Sequence, residues 1–501
     1  MLALSIAGQL FLEEVMQQST QSKLNVPNSS QKPINNAQDW SPNCARVVGC
    51  AFFMVLLDAS VIANALPTMA ASFHVRALDL SQGMSVYWLA LALFAPLSGW
   101  VADRIGGRRV FVISLCVFIV ASMLCGWVNN VEQFIAARVL QGAAGAFMVP
   151  VGRLLVLQTT PKQQLVRAMA TIAQPALIAP VIGPLLGGIF VTYFAWPWIF
   201  YLNLPLGVIV LLFALRFIPP SAKRVGEALD KRGFIFTALA LIGLLYGLDT
   251  FAHASLPTYL SAVLCGAGIV MALVAARHFK QAKQPLLNMQ VAQVQTYALS
   301  NLWVGTLVRT GINATPFLLP LYFQQAMGKS ALAAGGYMLA YFLGNFGMKS
   351  ASVVLIKRFG FRTILVANGV LAGVSIMLLG TLSIIGFDIV IAIILLLAGL
   401  SRSLQYSALN SLAFADVPDA QRSAGTTLSY MTQQISLMLG VALSVLILNL
   451  VPGVASLTQV AALPFGWAFA AMGLLVVVAS LGFLRLAAGA GAEVSGFVAR
   501  S

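Results

Sequence analysis

The chain has 501 residues, 59% of them hydrophobic and only 9% charged, with a net charge of +15. That apolar fraction exceeds what a soluble domain carries, so a water-soluble enzyme built around one core is excluded. The apolar runs are continuous and do not alternate with period two, which predicts an all-α membrane protein and excludes a spanning barrel.

The first forty residues differ from the rest. The run Leu2 to Leu12 has no basic flank and is followed by Glu13 and Glu14, which argues against a secretory signal. Residues 17–42, rich in Gln, Ser and Asn, predict a disordered cytoplasmic tail spanning 1–42, with translation from Met16 as an alternative. Beyond it lie fourteen candidate spans, centred near Met54, Leu91, Phe118, Gly145, Ile178, Val208, Leu241, Val270, Gly311, Phe342, Val374, Leu396, Leu437 and Leu474. They predict a six-helix bundle over 43–218, a linker with two extra spans over 219–285, a second six-helix bundle over 286–487 and a short tail at 488–501. If the N-terminus is cytoplasmic, Arg104, Arg108, Arg109, Lys223, Arg224, Lys357, Arg358, Arg362 and Arg500 all fall inside, whereas only Arg76 and Lys329 fall outside. The positive-inside rule then places both termini in the cytoplasm. The basic excess reads as topology and not as nucleic-acid binding, because no basic stripe is interleaved with exposed aromatics.

Four charges interrupt long apolar segments: Asp58, Arg138, Arg309 and Arg402. A charge at a helix centre costs roughly 2.5–3.5 kcal/mol on insertion scales, so such residues are expected to face a bundle interior or a substrate pathway. Asp58 is expected to be the only deep carboxylate. Burial favours its neutral form and a neighbouring cation its charged form, a balance that suits proton exchange, and Arg138 is its expected partner. Arg138 and Gln141 share a helical face at i, i+3. Asp103-Arg104-Ile105-Gly106-Gly107-Arg108 and Lys357-Arg358-Phe359-Gly360-Phe361-Arg362 share R-x-G-x-R after the second span of each bundle, so two homologous halves are implied. That repeat puts Asp58 and Arg138 on the first and fourth helices of one half, and Arg309 and Arg402 on the same helices of the other. Asp58, Asn64, Arg138, Gln141, Arg309, Asn313, Arg402 and Gln405 are therefore the expected cavity residues. Cys44, Cys50, Cys116, Cys125 and Cys265 read as small packing residues. His74, His253 and His278 lie in separate loops or helix ends, and neither a metal site nor a cofactor is expected. The absence of a G-x-x-x-x-G-K-S/T loop argues against an ATPase.

Gly99-Trp100-Val101-Ala102-Asp103-Arg104-Ile105-Gly106-Gly107-Arg108-Arg109 resembles the loop signature of the major facilitator superfamily, with Gly107 where that signature has its first basic residue. Leu57-Asp58-Ala59-Ser60-Val61-Ile62-Ala63-Asn64-Ala65-Leu66-Pro67 is similar to the first helix of the superfamily's fourteen-helix drug:proton antiporters. Arg138 to Gly145 and Trp196 to Gly207 resemble two further motifs of that branch. Ala179 to Gly188 resembles the motif of exporters, with Gly183, Pro184, Gly187 and Gly188 matching and Ala179 in place of Gly. The resemblance implies two six-helix bundles plus two inserted helices in a bacterial cytoplasmic membrane. It implies proton coupling at Asp58 and Arg138, and a conformational gate at Gly99, Asp103, Arg104, Gly106, Arg108, Arg358, Gly360 and Arg362, where Asp103 forms a charge lock. The expected function is proton-coupled export of small molecules by alternating access, with protons, substrate and lipid as partners and a periplasmic adaptor left open. Three arginines against one acid favour anionic or neutral substrates over lipophilic cations. The alternatives are a dedicated exporter of an organic acid or metal chelate, and a non-transporting sensor of the same fold.

Overall fold

The computed structural model describes residues 42–220, 228–282, 284–451, 462–487 and 489–496. The expected tail up to residue 41, the start at Met16, and Lys223, Arg224 and Arg500 lie outside the described residues. Among the described residues all regular structure is helical, and twelve helices are long and apolar enough to cross a membrane. The first eight are α1 (Asn43–Phe73), α2 (Ala77–Phe94, continued after Pro96 by Leu97–Ile105), α3 (Gly107–Trp127), α4 (Val131–Thr159), α5 (Leu165–Tyr193), α6 (Trp198–Phe217), α7 (Lys231–His253) and α8 (Thr258–Gln281).

The next segment, α9 (Val304–Leu321), is an 18-residue helix that falls short of the apolarity of the others, because Thr306, Arg309, Thr310, Asn313 and Thr315 interrupt it. Ala331–Leu379 runs for 49 residues. At about 1.5 Å per residue that is on the order of 70 Å, more than twice a hydrocarbon core of roughly 30 Å. Gly360 breaks it with φ 75°. The parts before and after Gly360 are therefore two spans, α10 and α11. The last three are α12 (Asp388–Ala413), α13 (Arg422–Leu450) and α14 (Ala462–Leu481). Divided in this way, the described segments number fourteen.

Gly106, between α2 and α3, also has a positive φ, 96°. The two halves of the chain thus turn at matching glycines, each within R-x-G-x-R, because only glycine adopts that conformation without strain. The end of the molecule bearing these turns is called the basic end, and the opposite one the distal end. Helix starts follow ordinary capping chemistry: Asn130 accepts from Gln133 N–H at α4, Asp230 from Gly233 N–H at α7, and Ser330 from Ala333 N–H at α10. Helices α1 to α6 pack on one another, as do α9 to α14, while α7 packs on α8 and reaches α2 and α13. Gly243 and Gly268 bring α7 and α8 into backbone contact, since a Cβ on Gly243 would lie 2.6 Å from Gly268 Cα. The outer face of α8 is apolar and exposed, with Leu273 and Val263 facing lipid.

Candidate functional site

Asp58 sits on α1 with only 3% of its surface exposed, and its carboxylate is met by donors from two other helices. Arg138 Nη1 on α4 lies 2.6 Å from Oδ2. Gln141 Nε2, one turn along α4, donates to Oδ1 at 2.8 Å, and Asn203 Nδ2 at the start of α6 donates to the same oxygen at 2.9 Å. Gln141 and Asn203 also donate to Ser122 Oγ on α3 at 2.7 and 3.2 Å. Arg138 is held from its other sides: Nε donates to Gly83 O at 3.3 Å, Nη1 to Gln141 Oε1, and its guanidinium stacks 4.1 Å above the Tyr87 ring. Truncating one partner of such a buried pair leaves an uncompensated charge, so the site depends on all its members at once. With three donors on one carboxylate, the arrangement suits the ionised form, which only accepts.

The arginines of the other half are arranged differently. Arg309 on α9 is fully buried and meets no carboxylate. It donates to Ser300 O at 3.0 Å, Asn301 Oδ1 at 3.1 Å and Asn410 Oδ1 at 3.2 Å. The π-turn Ala298–Leu302 presents the first two acceptors. Arg402 on α12 is half-buried; it donates to Ile312 O at 3.2 Å and Asn313 Oδ1 at 3.4 Å, and lies 5.1 Å over the Tyr406 ring. Gln405 is turned inward, donating to Leu365 O at 3.1 Å and accepting from Asn368 at 2.9 Å.

At the distal end the two halves touch. Asn64 Nδ2 donates to Pro184 O on α5 at 2.8 Å and to Ala331 O on α10 at 2.9 Å, while Gln324 Nε2 donates to Asn64 Oδ1 at 2.9 Å. The glycines of α5 make this approach possible. A Cβ on Gly187 would lie 2.7 Å from Val61 O on α1, and one on Gly188 2.6 Å from Ala331 O. From the other side, a Cβ on Gly335 would lie 2.6 Å from Pro184 O. Gly183 packs on Ser60 of α1, whose hydroxyl donates to Ala179 O at 3.3 Å.

At the basic end, Arg108 donates to Leu215 O at the C-terminus of α6, where a cation also meets the helix dipole. Arg104 stacks 4.8 Å over Trp100, and Arg358 5.4 Å over Phe359. Gly99 is exposed with open space around it, and Arg362 is half-buried.

The Major Facilitator Superfamily model matches residues 48–441. The chain belongs to the major facilitator superfamily. It is 34% identical over 404 residues, 81% of this chain and 86% of the relative, to "Putative multidrug resistance protein MdtD" of Pectobacterium carotovorum subsp. carotovorum strain PC1. It is 33% identical over 405 residues, 81% and 85% of the two chains, to the protein of the same name from Escherichia coli O7:K1. Among solved structures, a D-xylose-proton symporter superposes with a TM-score of 0.64 at 12% identity, covering 90% of this chain and 98% of that one. A POT family transporter in complex with 5-aminolevulinic acid gives 0.66 at 14% identity, covering 90% and 97%. The two structures share the superfamily's fold. The protein is a multi-pass membrane transporter and not an enzyme.

Within this superfamily fold, several sequence expectations are corrected. Asp58, Asn64, Arg138, Gln141, Arg309, Asn313 and Gln405 are buried in this conformation, each answered by partners within the protein. Arg402 alone of the expected cavity set keeps substantial exposure. Asn64 bridges the halves because its amide finds two carbonyls on two other helices. Asp103 makes no ion pair among the described residues, so its charge lock is not formed here; Arg108 donates instead to Leu215 O and Arg104 stacks on Trp100. Nor is Asp58 the only deep carboxylate: Asp249 on α7 is 0% exposed, and His253 is buried beside it. The sequence does not by itself single out Asn203 or Ser122, although Asn203 stands within the stretch Trp196 to Gly207. Among the described residues no cluster of three or more metal-ligating side chains occurs.

Proposed function

We propose that the protein is a proton-driven exporter of small molecules that works by alternating access between the two six-helix halves of its fold. The observation that carries this reading is the buried carboxylate of Asp58, saturated by Arg138, Gln141 and Asn203 in a chain similar to proteins named for multidrug resistance. A proton placed on Asp58 cancels the charge that answers Arg138 and turns one acceptor site into a donor, which weakens the hold of α4 and α6 on α1. Proton uptake therefore favours the parting of α1 from α4 or α6, and proton release accompanies re-formation of the network. The distal contacts of Asn64, Gly188 and Gly335 are the ones that open and close in the opposite phase.

The distribution of Lys and Arg supports placing the basic end and both termini in the cytoplasm of a bacterial inner membrane. The distal-closed form is then the one open to the cytoplasm. The charge pattern favours anionic or neutral substrates. Asp58 and Arg138 neutralise one another, whereas Arg402 is half-buried and Arg153 and Lys349 are exposed on α4 and α10, with no carboxylate bonded to any of them among the described residues. An anionic group supplies what a guanidinium lacks there.

The test is substrate-driven proton movement in reconstituted vesicles, comparing the wild type with Asp58→Asn. Asparagine keeps the size of the side chain and cannot exchange a proton. The variant is expected to insert and fold yet to lose pH-gradient-driven transport. Full transport by Asp58→Asn would sink the proposal.

A further inference from the structure

The inserted helix α7 carries a second buried pair of titratable groups that the transport cycle above does not use. Asp249 and His253 lie one turn apart, their side chains 0% and 1% exposed, with His253 Nδ1 3.6 Å from Asp249 Oδ2. Among the described residues neither carboxylate oxygen of Asp249 meets a donor at full hydrogen-bond geometry, with Ser85 of α2 beside it. Both ring nitrogens of His253 meet a backbone carbonyl oxygen. Nδ1 lies 2.8 Å from Asp249 O, and a carbonyl can only accept. Nε2 lies 2.9 Å from Leu78 O and 3.0 Å from Ser81 Oγ. With the Ser81 hydroxyl donating to Leu78 O at 2.6 Å, its oxygen is free to accept from the ring as well. A neutral imidazole donates from one nitrogen only; donation at both ends requires the imidazolium. The Asp249 carboxylate, 3.6 Å from Nδ1, is placed to supply its counter-charge.

The surroundings tie this pair to the distal contact. Leu78 and Ser81 belong to the start of α2, in the first half. On the other side Asn449 of α13, in the second half, donates to Ala252 O at 2.9 Å and accepts from Arg76 at 3.3 Å. Among the described residues, no further titratable side chain has a recorded ion pair or hydrogen bond with the side chains of the pair. α2 presents Ser81 and Ser85, α8 presents Ser261 through Thr250, and α13 presents Asn449. The other charges of this corner, Arg76 and Asp79, are bonded to each other at 2.7 Å.

We propose that Asp249 and His253 form a second proton-binding site, in which His253 holds its extra proton while the distal end is closed and releases it as that end opens. Movement of the α2 corner removes both acceptors from Nε2–H and exposes it to bulk water. The Nε2 proton then passes to water, leaving a neutral ring that still donates from Nδ1. By linkage, whatever loosens the distal contact must weaken proton binding at His253, and the reverse.

The inference does not rest on transport at Asp58, and its test reads the ring directly. Protein labelled with 15N-histidine is reconstituted in lipid nanodiscs and followed by NMR against pH. The His253 signals are assigned by their loss in His253→Gln or, if that variant does not fold, by elimination with His74→Gln and His278→Gln. At pH 7 both ring nitrogens of His253 are expected to carry protons. Asn449→Leu, or Arg76→Gln should the first not fold, is expected to move the loss of that proton to lower pH by about one unit, a tenfold fall in proton affinity. A single neutral tautomer in the wild type at pH 7, or a titration identical in wild type and gate variant, would overturn the proposal.

Discussion

Asn203 shows how much one uncharged side chain can decide. Its amide completes the donor set on Asp58 Oδ1 and also reaches Ser122. Asn203→Ala leaves that oxygen with one donor fewer in a site closed to water, which costs about 1–3 kcal/mol. A lowered melting temperature in detergent together with a slower pH-driven turnover is the expected result, and an unchanged melting temperature would contradict the role assigned to the amide. Arg309 and Arg402 provide a second contrast. Arg309 is fully buried and answered by three oxygen acceptors, so Arg309→Ala is expected to reduce stability by about 1–3 kcal/mol whatever the substrate. Arg402 is half-buried, with its longest bond at 3.4 Å. Arg402→Ala is expected to weaken export of an anionic compound severalfold and to spare a matched cationic one, with Arg402→Lys rescuing only in part because lysine lacks the planar fork. Equal loss for both compounds would remove Arg402 from substrate selection.

At the scale of elements, the start of α7 is held by Asp230, which caps the helix through Gly233 N–H and reaches α8 through His278 at 2.8 Å. Burial alone would raise this carboxyl, but the Gly233 N–H, the His278 ring and the Leu286 N–H outweigh it and hold it below the usual carboxylate value of 3.8. A lowered folded value means that the stabilisation is complete above 3.8 and is lost as pH falls through that lowered value. The stability gap between wild type and Asp230→Asn is therefore expected to be constant near neutral pH and to shrink in acid below 3.8, as read from thermal unfolding in nanodiscs. The pairing of α5 with α10 rests instead on missing side chains. Gly188→Val puts a branched side chain where a Cβ already meets Ala331 O at 2.6 Å. Overpacking of about 1–3 kcal/mol is expected to hold the distal end apart, making it accessible to a water-soluble thiol probe in a single-cysteine background and slowing turnover, with insertion retained. A distal end as protected as in the wild type would argue against this contact as a gate.

For the whole molecule, closure at the distal end and an Asp103 without an ion pair among the described residues are what the proposed alternating-access cycle expects of one of its two states. On that proposal, the lock expected at Asp103 belongs to the state in which the basic end is closed. Asp103→Asn is expected to shift the balance between the states by about 1–3 kcal/mol, lowering turnover far more than substrate affinity. Normal turnover with a selectively weakened Kd would contradict that assignment. The class of the protein, its helical spans and its internal repeat were legible in the chain alone. Hydrophobic run length and the R-x-G-x-R spacing are local properties, and the positive φ of Gly106 and Gly360 is what such glycines are for. Asp58 and Arg138 could be singled out for the same reason, since a charge inside an apolar run is visible without a fold. What only the tertiary structure decided is which group answers each buried charge. Asn203 stands 145 residues from Asp58, and Leu78 stands 175 residues from His253. The packing of helices distant in sequence turned Asn64 into a bridge between halves, gave Arg309 amide and carbonyl partners in place of a cavity, and buried a second carboxylate on a helix that the repeat does not cover. Contacts of that kind depend on helix rotation and approach, which side-chain packing sets and hydropathy does not encode.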